Sequence, residues 1–309
     1  MTASAASAGR RRAPRARSRL DRHVPGWAFA SPFAVILGIF LAIPILASLV
    51  LSFTSFNIGN IQSWSSARFV GLDNYTQALT DARVLKSLRN TGYFVGVGVP
   101  ATIALSLALA VGLNRVVGAM KTVFRVGYYL PVVTSIVAIA VIWRYLLAPD
   151  IGLVNSLIER VGIAGPDWLG NTKTAMPSVI AIGVWRNVGF DMVIFLAALQ
   201  TIDPALYEAA KVDGARGWKL FRFITLPLLR PAMLFVAVVT SIAYLQVFEE
   251  PFVMTQGGPV DSTLTTSMLI YEQGFRFFNL GYASAIAYIL FVIIAVLAVI
   301  QFRWLRPQS

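Results

Sequence analysis

Three stretches of this 309-residue chain go without Asp, Glu, Lys or Arg for longer than a bilayer is thick. One lies between Arg22 and Arg68, one covers Asn90–Asn114, and one covers Phe277–Phe302. About 20 consecutive apolar residues, wound as a helix, cross the hydrocarbon core. Lipid offers the backbone no water, so a crossing segment must satisfy its own N–H and C=O groups. The alternating pattern of a transmembrane barrel is absent from these runs. The chain is therefore expected to be an all-α integral membrane protein.

Composition supports this. Charged residues are 13% of the chain, about half the share in a soluble domain. The formal net charge of +12 could suggest a nucleic-acid partner. The basic residues flank apolar runs instead of studding a soluble surface, which points to membrane lipid and to no nucleic acid. With no cysteine there is no disulfide, thiolate nucleophile or cysteine metal site. The single histidine, His23, lies in the N-terminal tail, which argues against a triad or a zinc centre.

Taken in order, residues 1–26 form a basic tail expected to be disordered and cytoplasmic, with seven arginines before His23. A first span runs from Trp27 to about Phe53, with Pro32 and Pro44 as possible kinks. Asp73 and Asn74 can start a short helix through Leu88, and Asn90–Asn114 is the second span. A third runs through Trp143 with Pro131 inside it, and a fourth from about Met176 to Leu199. Pro231–Phe248 is the fifth, residues 249–276 an outer connection, and Phe277–Phe302 the sixth. The six-span domain is placed at 27–305, with a loop at 201–230 and a short cytoplasmic tail at 306–309.

Orientation follows from basic residues, which favour the cytoplasmic side. With the N-terminus inside, the inner segments hold seventeen of the twenty-six Lys and Arg residues. Both termini and the 201–230 loop are then cytoplasmic.

That loop carries the most distinctive pattern. Asp203-Pro204 is a helix start, since Asp can cap free N–H groups and Pro suits the first helical position. Leu206, Ala209 and Ala210 share one face, with Glu208 and Lys211 on another. Gly214 can take the left-handed conformation that ends a helix, and a second short helix then presents Trp218, Phe221 and Thr225. Two short amphipathic helices between membrane spans form a docking element.

Glu208-Ala209-Ala210, Asp213-Gly214-Ala215 and Ile224-Thr225-Leu226-Pro227 resemble the EAA loop of permease subunits in binding-protein-dependent ABC importers. FVGLDNY (Phe69–Tyr75), NTGYF (Asn90–Phe94), YYLPVV (Tyr128–Val133), TQGGP (Thr255–Pro259) and FFNLGYASA (Phe277–Ala285) resemble the carbohydrate-uptake, maltose-type branch. The resemblance implies a type I ABC importer permease fold, with a cytoplasmic coupling helix that fits a cleft on the ATPase subunit. It assigns coupling to Glu208, Ala209, Ala210, Asp213, Gly214, Leu226 and Pro227. Its implied partners are a second homologous permease, two ATPase subunits and an extracytoplasmic sugar-binding protein, in a bacterial cell membrane.

The chain has no GxxxxGK[ST] loop, so ATP and Mg are expected on the partner ATPase subunits, and this chain should bind no cofactor or metal itself. Transport needs polar groups facing a cavity at membrane depth. On the fourth span Gly183, Asn187 and Asp191 recur every four residues, flanked by Phe190. Tyr244 and Phe248 share one side of the fifth span, and Gln246 and Glu249 another. Aromatic faces with amides and carboxylates suit a sugar. Arg186 and Asp191, five residues apart, are not on one face and are not expected to pair. An ion-gradient-driven secondary transporter would also explain buried charges in six spans, but not the Glu208–Pro227 pattern.

Overall fold

The computed structural model describes residues 30–60, 67–116 and 118–305. The tails expected at 1–26 and 306–309, and the start of the first span at Trp27, lie outside the described residues. The chain divides into two compact units, residues 1–50 and 51–309.

The first unit holds almost all of α1 (Ala30–Ser52), which contains a π-helical turn at Gly38–Ala42. Pro44 has no N–H to donate, and its ring crowds the carbonyl four residues back. A wider turn just ahead of it accommodates that crowding without ending the helix.

The second unit is built from α2 (Asp73–Thr80), α3 (Ala82–Asn114), α4 (Ala119–Val133), α5 (Ile136–Leu146), α6 (Leu153–Glu159) and α7 (Ala175–Gln200). The helix expected to run on to Leu88 is interrupted at Asp81. That residue is extended, and its carboxylate accepts from the Arg83 N–H at 2.7 Å to cap α3. Buried Asn74, on α2, donates to the carbonyls of Ser52 and Thr54, both at 2.9 Å.

α3 and α7 form the spine and run parallel. Near their N-terminal ends Phe94 and Gly98 face Gly183 and Ile180, and near their C-terminal ends Leu113 and Leu199 join one buried cluster. α4 packs on α7 at Gly189, where an added Cβ would lie 1.9 Å from the Tyr128 carbonyl oxygen. Only a glycine allows that approach.

The third span departs from expectation. α4 and α5 meet at a 97° bend instead of forming one rod. Thr134 is extended and Ser135 non-helical there, and the Thr134 hydroxyl bonds back to the Leu130 carbonyl at 2.8 Å. Pro131 removes one helical donor just ahead of the break. Among the described residues five helices are long and apolar enough to cross a membrane, and the bent pair brings the number to six if it is one span.

α8 (Pro204–Val212) and α9 (residues 218–228, with a π-helical segment at Phe221–Thr225) follow α7. The fifth span also differs. α10 (Arg230–Leu245) unwinds at residues 246–248 and resumes as α11 (Glu249–Met254). The two together make a candidate span, Arg230–Met254, so the first residues assigned to an outer connection belong to the membrane segment. α12 (Thr266–Tyr271), a π-helical turn at Glu272–Arg276 and α13 (Leu280–Leu305) complete the chain. Among the described residues the only β pairing is an isolated bridge, Thr54 to Phe69.

Candidate functional site

The segment between α7 and α10 is ordered by local chemistry. Asp203 caps α8 through the Ala205 N–H at 2.9 Å, with Pro204 at the first helical position. At the other end the Ala215 N–H reaches the Ala210 carbonyl and the Gly214 N–H reaches that of Lys211. With Gly214 at φ +82°, this is the Schellman ending of a helix. Gly217, also at positive φ, starts α9. The Tyr207 and Thr225 hydroxyls lie 3.0 Å apart and tie the two helices together.

The side chains of this element are largely uncovered. None of the α8 side chains is buried, and Val212, Trp218 and Phe223 are 88%, 71% and 74% exposed. A soluble tip would cover or replace such side chains. Glu208, the one acid of α8, pairs with Lys211 at 2.7 Å. Both side chains are exposed, and an i,i+3 pair of that kind contributes at most about 1 kcal/mol. Ala209, Ala210, Asp213, Leu226 and Pro227 lie in the same α8–α9 element.

The candidates on the spans separate into several places. Asn187 donates to the Gly183 carbonyl of its own helix at 2.8 Å. It also interacts with the buried Tyr244, whose hydroxyl shares a 2.8 Å hydrogen bond with Thr102. The Tyr244 ring stands edge-on to Phe94 at 5.0 Å. Asp191, only 2% exposed, accepts from the Thr240 hydroxyl at 2.9 Å, which joins α7 to α10. Phe190 points elsewhere, into a hollow of about 360 Å3 lined by Arg125, Tyr129 and Val133. Asn187 and Asp191 thus share one strip of α7 turned toward Tyr244 and Thr240 of α10, and Phe190 lies off that strip.

Around the unwound turn of the fifth span, Gln246 and Glu249 are exposed while Glu250 is buried. Arg186 attracts Glu250 electrostatically but makes no ion pair with it or with Asp191 among the described residues. Its Nε is buried without a hydrogen-bond partner. Phe248 opens a ladder of rings that sequence reasoning missed. It stacks on Phe252 at 4.9 Å, both rings meet Tyr271, and Tyr271 stacks on Phe275 at 5.6 Å. The Arg276 guanidinium lies 5.8 Å from the Phe252 ring centre. The signal lay in the i,i+4 spacing of Phe248 and Phe252, which crosses the assumed span boundary, and of Tyr271 and Phe275 within the assumed connection.

The sequence model of the binding-protein-dependent transport system inner membrane component matches residues 101–308. The chain belongs to this family. The lactose transport system permease protein LacF of Rhizobium radiobacter is 37% identical over 300 residues, covering 95% of this chain and 98% of that one. The arabinooligosaccharides transport system permease protein AraP of Bacillus subtilis is 31% identical, covering 90% and 87%. Among solved structures, a bacterial ABC transporter involved in the import of the acidic polysaccharide alginate matches with a TM-score of 0.79. It is 25% identical and covers 93% of this chain and 96% of its own. A second structure of an alginate transporter, in complex with a pentasaccharide-bound periplasmic protein, matches equally well. The fold of this inner membrane component is that of a type I ABC importer permease.

Proposed function

We propose that this chain is the permease subunit of an ATP-driven importer that moves a sugar into the cytoplasm. ATP is hydrolysed on separate subunits, which dock on α8 and α9. The observation that carries this reading is the exposed two-helix element, fixed by the Asp203 cap, the Gly214 ending and the Tyr207–Thr225 contact. A rigid element with uncovered Trp218 and Phe223 transmits a push better than a flexible loop. The sugar class rests on the lactose, arabinooligosaccharide and alginate systems named for its relatives.

In this reading the chain works with a second homologous permease and an extracytoplasmic binding protein. Both termini and the docking element face the cytoplasm. The sugar is met by Asn187, Gln246, Phe248 and Glu249, while buried Tyr244 and Asp191 support the wall behind Asn187 through Thr102 and Thr240. ATP and Mg stay with the ATPase subunits. Uptake of labelled sugar into proteoliposomes containing the complex should require loaded binding protein outside and ATP inside. Uptake driven by an ion gradient without ATP would overturn it.

A further inference from the structure

The parallel start of α3 and α7 leaves a polar pocket at the end of the bundle away from α8 and α9. Its volume is about 450 Å3, and Lys86, Arg89, Lys173, Asn90, Thr172 and Ser262 line it, with no Asp or Glu among its lining residues. Lys86 gives one donor to the Val260 carbonyl, which leaves two free on its ammonium. Arg89 and Lys173 enter none of the ion pairs among the described residues. The Ser262 hydroxyl is buried and has no hydrogen-bond partner. Asn90 fixes the wall that carries it, by donating to the Asp261 and Leu264 carbonyls at 2.8 and 2.9 Å. Three cations and a buried hydroxyl around one hollow call for an anion.

What lies beneath narrows the choice. Tyr93 and Pro177 line both this pocket and an apolar trough of about 1040 Å3, which runs along α3 past Val97 and Leu105 and along α7 past Ile180 and Val184. At 33 residues α3 is about 50 Å long, well beyond the ~30 Å hydrocarbon core. Its charged first turns therefore stand at headgroup level, and its uncharged stretch begins at Asn90. Tyr93 sits one turn lower, at the depth where aromatic residues mark the membrane interface. A free anion would use the pocket alone, and a soluble acidic protein would have no use for the trough.

We propose that this composite site holds an anionic phospholipid of the leaflet away from α8 and α9. Its phosphate lies among Lys86, Arg89, Lys173 and Ser262, and an acyl chain lies in the upper trough beside Tyr93 and Pro177. The site is independent of which sugar is carried. It makes the lipid a fixed part of the α3–α7 surface.

The test uses the complete transporter, reconstituted in equal amounts of phosphatidylglycerol and phosphatidylcholine, re-extracted in detergent, and read by mass spectrometry for retained lipid. A basic residue near an anionic surface favours anionic lipid about fivefold. The native complex should retain phosphatidylglycerol at least fivefold over phosphatidylcholine. The combined variant Lys86→Gln, Arg89→Gln, Lys173→Gln should bring that ratio close to one, while Arg160→Gln, at an exposed arginine just after α6 and outside both hollows, leaves it unchanged. Should the triple variant not assemble, Arg89→Gln alone should still lower the ratio several-fold. No preference in the native complex, or one that survives these substitutions, overturns the proposal. So does release of the retained lipid by glucuronate, which would make the pocket a site for acidic cargo. Cross-linking of a cysteine at Val97 to another chain, with no lipid retained, would show that protein fills the trough.

Discussion

The Tyr207 hydroxyl lies 3.0 Å from that of Thr225, across the turn between α8 and α9. This contact is a side-chain link between the two short helices. A neutral hydrogen bond of this kind is worth about 1 kcal/mol. Tyr207→Phe and Thr225→Val should therefore leave the protein inserted while loosening the element. Each variant should lower co-purification of the ATPase subunit and sugar-stimulated ATP hydrolysis by several-fold, without abolishing either. Native values in both variants would show that the link is unimportant.

Gly214 and Glu208 test the same element more severely. A Cβ at Gly214 meets nothing within 4 Å, so the cost of a side chain there is entirely the left-handed backbone, about 1–2 kcal/mol. Gly214→Val should unravel the helix ending, and Glu208→Lys should reverse the charge that faces the partner. Both variants should reach the membrane and lose stimulated ATPase activity, measured in nanodiscs with and without loaded binding protein. If both retain it, this element does not couple the subunits.

Asp191 and Asn187 should now behave differently from each other. Asp191 is buried against Thr240, so Thr240→Val or Asp191→Leu strands a polar group between α7 and α10. Either should cost about 1–3 kcal/mol and lower the melting temperature of the purified complex. Asn187, bonded to its own helix and half-buried, should tolerate Leu structurally while sugar uptake falls. A thermal shift for Asn187→Leu as large as that for Asp191→Leu would place Asn187 in the packing instead of the pathway.

Orientation is checked by single cysteines, which the cysteine-free chain makes clean. One at Ala215 should be blocked in intact cells only by a membrane-permeant thiol reagent. One at Thr172 should react with an impermeant reagent. The opposite pattern would invert the topology.

The spans were legible because a missing charge over Asn90–Asn114 or Phe277–Phe302 is costly to explain any other way. The two-helix form of α8 and α9 was legible too, since Asp203, Pro204 and Gly214 act on the backbone next to them, whatever packs around. What sequence spacing misses is direction. Hydropathy is the same for a straight rod and for one bent by 97° at Thr134 and Ser135, and Pro131 marks only the neighbourhood of that bend. Likewise a four-residue repeat puts Asn187 and Asp191 on one strip of α7 without saying what faces them. Asp191 meets Thr240, forty-nine positions away. The rings of Phe248 and Phe252 were divided by a span boundary drawn at the first carboxylates, whereas the helix resumes at Glu249.

The unwound turn at residues 246–248 makes the fifth span a lever with unequal arms. The arm that begins beside α9 has 16 residues and the far arm has 6, about 24 Å and 9 Å along the helix axis. The long arm packs on α3, α7 and α13, and the short arm on α5 and α7. For any rotation about the turn, the end beside α9 sweeps between two and three times the distance of the other, by geometry alone.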